Sequence, residues 1–320
     1  MKDIPAKNSD LETLIAQCRG GFPEKSLYIL ELPIFNPENG FPFLREILSC
    51  YAGLEEIRAG RCVAAQNTDE EGARAQNCYD YENLSRAGAS PQNQILRAEL
   101  IKTAQKLSPD ILGLKFNISA PEDIPKAVEI LNEILGQTKI PLMLRGCGDD
   151  ELDKLLLPAL ADNAPQTCII ASANENTYKE IIPHTAQKHF VVLRSPIDIN
   201  LAKEINILSS DLGQPLEKIL IDTDIGGLGY GFEYGYSIIE KIKIEGANDK
   251  YLNMPIISFA CEEALKTKEA KSNDFPPSFG NLSTRRIMFE TAAASAVRAA
   301  GANLIVINHP QTLKTMKGLD

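Results

Sequence analysis

Seven short apolar runs, each followed by a stretch with helical spacing, dominate the last two-thirds of this chain. Each run is rich in Ile, Val or Leu over nearly its whole length, as a strand that is buried on both faces requires. Strands that alternate with helices form parallel sheets, in which each helix is a crossover connection. The seven runs span residues 111–118, 140–148, 167–174, 189–196, 218–225, 254–260 and 303–310.

One further strand upstream would make eight, the number that closes a parallel barrel. We therefore predict an α/β fold, a (β/α)8 TIM barrel with an N-terminal extension. Two segments could supply the first strand, "RCVAAQN" at 61–67 and "SLYILELPI" at 26–34. We favour 61–67, which gives an extension at 1–58 and a barrel at 59–320. A doubly wound open sheet is the alternative architecture.

Charge and composition exclude several classes of protein. The net charge of −10 and the absence of Lys/Arg runs disfavour binding to nucleic acid. No apolar run approaches the roughly 20 residues that cross a bilayer, and the first residues lack an apolar signal core, so we expect a cytoplasmic protein that does not bind membranes. The seven cysteines show no C-x-x-C spacing and the three histidines are scattered, so we predict neither a metal site nor an iron–sulfur cluster on this chain.

Small polar residues and glycines follow five or six of the predicted strands. In a parallel barrel these positions meet at one mouth, where binding groups are found. The same residue types also cap helices, so Asp149, Asp150 and Ser195 have a purely structural interpretation as well. The candidates outside the sixth strand are Asn117, Gly146, Gly148, Asp149, Asn174, Arg194, Ser195 and Asp198.

The stretch "IDTDIGGLGYGFEYGYS" at 221–237 is the most specific feature. It lacks the Lys-Ser/Thr pair of a phosphate-binding loop, and it follows a late strand, unlike the dinucleotide fingerprint. Glycines here either permit close approach of a large flat ligand or supply positive φ angles in a tight loop. The candidates in this stretch are Asp222, Gly226, Gly227, Gly229 and Tyr230.

No catalytic motif accompanies these candidates. The chain has no G-x-S-x-G elbow, no H-E-x-x-H motif, and no D-x-H-x-x-G motif of the kind that supplies histidine to cobalt in many cobalamin modules. We therefore assign no catalytic residue and favour binding or capping over independent chemistry.

From residue 140 to 313 the chain resembles the small (delta) subunit of the corrinoid iron–sulfur protein in the acetyl-CoA synthase/decarbonylase (CO dehydrogenase) system. Segments such as "PLMLRGCGDDELD", "HFVVLRSPIDINLAKEINIL", "ILIDTDIGGLGYGFEYGYSIIEKIKI" and "AGANLIVINHP" carry this resemblance in family order. The first hundred residues match weakly. Asp222-Thr223 stands where the family usually has Asp-Pro, and "VINHP" where a Met-Arg pair is common.

The resemblance implies a heterodimer. A large subunit would carry the iron–sulfur cluster and the main cobalamin-binding domain, and the small subunit's barrel mouth would cover the corrinoid, so that cobalamin is shared between them. It also implies a methyltetrahydrofolate methyltransferase (or its methanogen counterpart) as methyl source and acetyl-CoA synthase/CO dehydrogenase as recipient. On this view the thirteen candidates are cofactor-binding residues, and the glycines let a loop lie close to a tetrapyrrole-like ring.

Two other functions stay open from the sequence. One is a stand-alone pterin-dependent methyltransferase barrel, with Asn117, Asp149, Asn174, Asp198 and Asn200 as candidate pterin ligands. The other is a scaffold protein that kept the fold and lost the cofactor role.

Overall fold

The computed structural model describes residues 9–19, 22–35 and 91–319. Strands and helices alternate along almost all of this part of the chain. In chain order the elements are α1 (Ser9–Ala16), β1 (Leu27–Phe35), α2 (Pro91–Leu107), β2 (Ile111–Phe116), α3 (Ile124–Leu135), β3 (Leu142–Arg145), α4 (Asp150–Asn163), β4 (Ile169–Ala173), α5 (Tyr178–Thr185), β5 (Phe190–Arg194), α6 (Ile199–Asp211), β6 (Ile219–Asp222), α7 (Phe232–Gly246), β7 (Ile257–Ser258), α8 (Ala260–Lys266), α9 (Lys268–Lys271), α10 (Leu282–Ala300), β8 (Leu304–Ile307) and α11 (Pro310–Gly318).

The eight strands form one parallel sheet in the order β6-β5-β4-β3-β2-β1-β8-β7. The two outer strands of this order meet, because Ile221 forms a parallel bridge with Ile256 and its N–H donates to the carbonyl of Pro255 at 3.0 Å. The sheet therefore closes on itself, which confirms the predicted (β/α)8 barrel and excludes the open doubly wound sheet. All seven predicted apolar runs contain a strand.

The preferred position of the first strand was wrong. Leu27–Phe35 is β1: it pairs with β2 on one side and with β8 on the other, and it is buried at all nine positions. A strand held between two neighbours and packed on both faces needs such a continuous apolar run. Segment 61–67 lies outside the described residues. Residues 27–35 thus belong to the barrel sheet, and the rest of the predicted division between 1–58 and 59–320 stays a prediction.

Alternate strand residues divide the core into two apolar clusters. Residues such as Ile29, Met143 and Val192 point inward and pack together, whereas their strand neighbours pack outward against the helices. Helix α1 joins the inward cluster through Leu11 and Ile15 and so closes the amino end of the barrel. At the carboxyl ends of the described strands, inward residues become polar. Among the described helices, none is both long and apolar enough to cross a membrane.

Candidate binding site at the barrel mouth

A ring of polar side chains forms the top layer of the barrel interior. On five of the six strands concerned, the residue lies two positions beyond an inward apolar residue, and on β2 Lys115 lies four positions beyond inward Ile111, so strand alternation points each of them inward as well. Six strand ends contribute in this way: Glu31, Lys115, Arg145, Arg194, Asp222 and Asn308. These groups define the floor of the mouth.

Four of the charged groups at this level form a buried ion cluster across β1, β2, β3 and α8. Arg145 Nη1 donates to Glu31 Oε2 at 2.9 Å and also to Glu262 Oε2. Lys115 Nζ lies 2.9 Å from Glu262 Oε1, and Lys266 reaches the same oxygen at 3.0 Å from the rim. The guanidinium of Arg145 also lies 4.2 Å above the ring of Phe259.

The charges of this cluster are mutually compensated. Burial opposes ionisation of Glu262, but Arg145 and Lys115 hold its pKa well below the usual range. Burial lowers the pKa of Lys115, and its neighbour Arg145 lowers it further against the pull of Glu262. Because these charges already satisfy one another, the cluster fills the centre of the mouth with paired groups.

At the end of β6, Asp222 is a buried carboxyl of a different kind. Burial raises its pKa to about 7, and the neighbouring carboxylate of Asp224 adds to the shift against Arg194. Its Oδ1 accepts a hydrogen bond from the N–H of Asp224 at 3.0 Å, which holds Asp224 at a positive φ of 51°. Asp222 therefore fixes the first turn of the glycine-rich loop.

Several sequence candidates have local structural partners. Asp149 caps α4 by accepting the N–H groups of Glu151 and Leu152, and Asp198 caps α6 in the same way. Asn174 donates to the carboxylate of Asp150 at 2.7 Å. These contacts match the helix-capping interpretation for Asp149, and they account for Asp198 and Asn174 without a ligand.

The glycines around Asp149 and the arginine at the end of β5 also have identifiable surroundings. A Cβ on Gly146 would lie 2.1 Å from Asp153 Oδ1, and Gly148 has a positive φ of 89°. Arg194 lies 3.9 Å from the carboxylate of Asp224. Ser195, in contrast, caps no helix: its N–H donates to the carbonyl of Asp222 at 3.0 Å, which ties β5 to β6.

The glycines of the loop after β6 are required for different reasons. A Cβ on Gly226 would lie 2.5 Å from the carbonyl oxygen of Tyr230, and one on Gly227 would lie 2.9 Å from the carbonyl oxygen of Glu263. Gly229 has a positive φ of 78° and no atom within 4 Å of its Cβ position. Only Gly229 of these three therefore faces open space. Tyr230 beside it is 56% exposed.

Three buried side chains at the strand ends have polar atoms without a hydrogen-bond partner. They are Nδ2 of Asn117, Oγ of Ser195 and Oδ1 of Asn308, whose side chain otherwise interacts with the carboxylate of Glu290. Buried polar groups in native proteins are nearly always paired, and four side chains on the described helices have one such atom each: Arg97, Glu133, Asn206 and Ser209. Asn117 and Ser195 were sequence candidates, and which candidates bind a ligand stays a proposal.

The thirteen sequence candidates leave out five residues of the floor and its ion cluster: Glu31, Lys115, Arg145, Glu262 and Asn308. A usable signal exists for the first two, because each is the lone charged residue within an apolar run, in "YILELPI" and "LGLKFN". Glu262 lies on a helix, and no local pattern connects it with the strands. In the described part of the chain, no group of three His, Cys, Asp or Glu side chains is arranged to hold a metal ion.

The barrel belongs to the class of (β/α)8 folds that dihydropteroate synthases also adopt. The enzyme from Xanthomonas albilineans with 4-aminobenzoic acid has a TM-score of 0.51 at 12% identity, over 71% of this chain and 86% of that one. The enzyme from Coxiella burnetii in complex with pteroic acid has a TM-score of 0.51 at 11% identity, over 92% of each chain. At such identities the likeness concerns the fold alone.

The chain belongs to the CO dehydrogenase/acetyl-CoA synthase delta subunit family, which matches residues 80–296. It is 28% identical over 196 residues to acetyl-CoA decarbonylase/synthase complex subunit delta of Methanocaldococcus jannaschii, covering 60% of this chain and 48% of that protein. It is 29% identical over 230 residues to the subunit delta of Archaeoglobus fulgidus, covering 68% of this chain and 50% of that protein. The chain thus spans about half the length of the curated relatives it matches, and the family predicted from its sequence is confirmed.

We expect Glu262→Gln to destabilise the fold by about 3–5 kcal/mol, because it leaves buried Arg145 and Lys115 with too little negative charge. The loss is measured as the difference in the free energy of unfolding between variant and wild type, from urea denaturation at neutral pH. The matched control is Glu263→Gln, since among the described residues Glu263 pairs with Lys266 at the rim, and its effect should stay below about 1 kcal/mol. Equal effects of the two variants would contradict a cluster at the mouth that supports the fold.

We expect Asp222→Asn to change how stability depends on pH. The folded-state pKa of about 7 lies above the ordinary 3.8, so the folded chain keeps a proton that the unfolded chain releases. Wild-type stability should therefore fall as pH rises from about 4 to about 7, by up to about 4 kcal/mol from this group. The side-chain carbonyl of asparagine can still accept the N–H of Asp224, but asparagine does not ionise.

Urea unfolding at pH 5 and pH 8 tests this expectation. The free energy of unfolding of Asp222→Asn relative to wild type should rise between these two values. Asp211→Asn, at the exposed end of α6, should follow the wild-type profile. If the free energy of unfolding of Asp222→Asn also depended on pH in parallel with wild type, the result would mean that Asp222 is ionised in the folded chain at both pH values.

Proposed function

We propose that this chain is the small subunit of a corrinoid protein, whose barrel mouth covers a cobalamin that a larger partner mainly binds. The observation that carries this proposal is membership in the delta subunit family. The curated relatives are named as subunits of an acetyl-CoA decarbonylase/synthase complex. A subunit that completes a binding site held by another chain needs a complementary surface more than a catalytic centre of its own.

The mouth has features that suit a large flat ligand resting on it. The ion cluster of Glu31, Lys115, Arg145 and Glu262 supplies a filled floor. Unpaired polar atoms on Asn117, Ser195 and Asn308 lie at three strand ends around that floor. These features support a ligand that lies across the mouth and hydrogen-bonds at its edge.

The loop after β6 would form one side of this surface. Gly229 has no side chain and faces open space, so the loop can lie close to a ring plane. Tyr230 and Tyr234 are 56% and 63% exposed, and such exposed aromatic groups are suited to contact a ligand or the partner subunit. The proposal thus assigns the close approach to Gly229, whereas Gly226 and Gly227 serve the packing of the loop itself.

A bound corrinoid would supply a cobalt that accepts and releases a methyl group. The residues of this chain would hold the ring at its edge and exclude water from one face, and none of them needs to move a proton. In this proposal the methyl group comes from a methyltetrahydropterin through a methyltransferase. It passes on to acetyl-CoA synthase/CO dehydrogenase.

A stand-alone pterin-dependent methyltransferase is less well supported. Of the polar residues that would bind a pterin, Asp149 and Asp198 cap helices and Asn174 is bonded to Asp150. The charged groups deeper in the mouth are paired with one another. A pterin would have to break several of these contacts before it could bind.

Purification of the native protein from its source through a tag on this chain tests the proposal. We expect a larger partner subunit to elute with it in size-exclusion chromatography, together with the visible absorbance of a corrinoid. A lone colourless species of 35.1 kDa would contradict the proposal. Saturable binding of methyltetrahydrofolate to that species would instead favour the methyltransferase.

Within such a complex, we expect Gly229→Asn to reduce the corrinoid content several-fold. Asparagine tolerates positive φ, so the change adds bulk toward the ring with little backbone strain. The matched control is Gly213→Asn at the far end of α6, where φ is 99° and the Cβ position is equally open. Cobalt per complex, measured after gel filtration, should fall only in the first variant. Unchanged cobalt in a folded Gly229→Asn complex would count against the role of this loop.

A further inference from the structure

The segment between α9 and α10 presents a group of apolar side chains to solvent. We call residues 272–281 the aromatic loop. Pro276, Pro277 and Phe279 are exposed in it, and the ring centre of Phe279 lies 5.2 Å from that of the half-buried Phe275. Grouped exposed apolar side chains are typical of interaction sites, whereas isolated ones are common on any protein surface. The aromatic loop is therefore a candidate contact surface for another molecule.

A buried arginine holds the aromatic loop in one conformation. Arg285, in the first turn of α10, donates hydrogen bonds to three backbone carbonyls on both sides of the loop. They belong to Glu269, Ser272 and Gly280. The guanidinium of Arg285 also lies 5.0 Å from the centre of the Phe275 ring. Because these contacts place the exposed side chains in advance, little conformational entropy is lost when a partner binds to them.

The aromatic loop borders the glycine-rich loop after β6. Helix α10 runs from Leu282 toward the start of β8, so the segment before it lies at the carboxyl end of the barrel. The hydroxyl of Tyr230 lies 3.5 Å from Oε2 of Glu269 on α9, which connects the two loops. Their exposed aromatic side chains therefore occupy one sector of the rim, between β6 and β8. A subunit that holds a ligand over the mouth would contact this sector.

The charges of the rim differ between its two sides. Residues 266–286 contain five basic and two acidic residues, although the whole chain has a net charge of −10. Lys266, Lys268 and Lys271 are exposed beside the aromatic loop. The turns after β3, β4, β5 and β6 instead expose carboxylates, which are those of Asp149, Glu151, Glu175, Asp198 and Asp224. The aromatic loop is thus flanked by positive charge on a rim whose β3–β6 side is acidic.

A partner that fits this surface needs an apolar pocket bordered by carboxylates, because complementary charges orient and speed association. We propose that the aromatic loop, with Lys268 and Lys271, is the docking surface for the larger corrinoid subunit, which contacts it through such a pocket. The location identifies the occupant, since a subunit that holds the ligand over the mouth reaches the rim beside the glycine-rich loop. This inference rests on the proposed function.

The first test measures how tightly purified variants bind the larger subunit that co-elutes with the wild-type chain. Phe279→Ser removes a side chain that is 51% exposed, so the isolated variant should unfold at the same urea concentration as wild type. Its Kd for the larger subunit should rise at least about tenfold, because the burial of one aromatic ring is lost. The matched control is Ile244→Ser, at the amino end of the barrel and 66% exposed, which should bind as wild type does.

The second test addresses the acidic character of the partner's pocket. The double variant Lys268→Glu, Lys271→Glu should associate with the larger subunit about tenfold more slowly at low salt, and added salt should reduce this difference. The control is Lys241→Glu, Lys314→Glu, which changes the net charge equally at exposed lysines of α7 and α11. Equal slowing of the two double variants would mean that net charge alone steers association, and would overturn the assignment of Lys268 and Lys271.

The remaining outcomes separate this inference from the function on which it rests. If the wild-type chain binds no larger subunit, the proposed function fails and this inference fails with it. If the wild-type complex forms with its corrinoid and Phe279→Ser binds the larger subunit equally tightly, only the docking surface is overturned. Sedimentation of the isolated chain tests a second copy as the occupant. A dimer that Phe279→Ser abolishes, with unchanged affinity for the larger subunit, would also overturn the inference.

Discussion

The ion cluster of Glu31, Arg145, Glu262 and Lys115 determines what the mouth of this barrel can do. It connects three neighbouring strands with α8 at the level where the apolar interior ends. Removing several charges from water is costly, and only close pairing inside the barrel compensates for it. Because the pairing is internal, the charged groups at the centre are satisfied before any ligand arrives.

Because of this internal pairing, the centre and the edge of the mouth differ in whether their polar groups are satisfied. At the centre, the charged groups of the cluster are paired with one another. At the edge, the buried amides and hydroxyl of Asn117, Ser195 and Asn308 have unmade hydrogen bonds, and Gly229 leaves the loop after β6 open. An arrangement with a satisfied centre and an unsatisfied edge is compatible with the broad, shared ligand that we propose.

The second supporting element is the carboxyl of Glu290 behind β8. Burial raises its pKa to about 7, although two backbone N–H groups, the hydroxyl of Thr312 and the side chain of Asn308 oppose the shift. Asp222 at β6 is another buried carboxyl whose pKa is raised to about 7. Each carboxyl organises the turn that follows a strand, one at Asn308 and the other at the glycine loop. The two turns with which we associate ligand binding are thus both shaped by buried acids.

The amino-acid sequence predicts the barrel, since seven apolar runs with helical spacers allow few other parallel folds, and "IGGLGYGFEY" indicates the family. It also marked Asn117 and Ser195 at strand ends. It did not place the first strand, because two upstream segments had similar character and only pairing with β2 and β8 distinguishes them. Only the folded chain shows that Glu262 reaches Lys115 across 147 positions and that Asn308 meets the carboxylate of Glu290 on α10. These are properties of side chains distant in sequence, and local patterns cannot encode which of them meet.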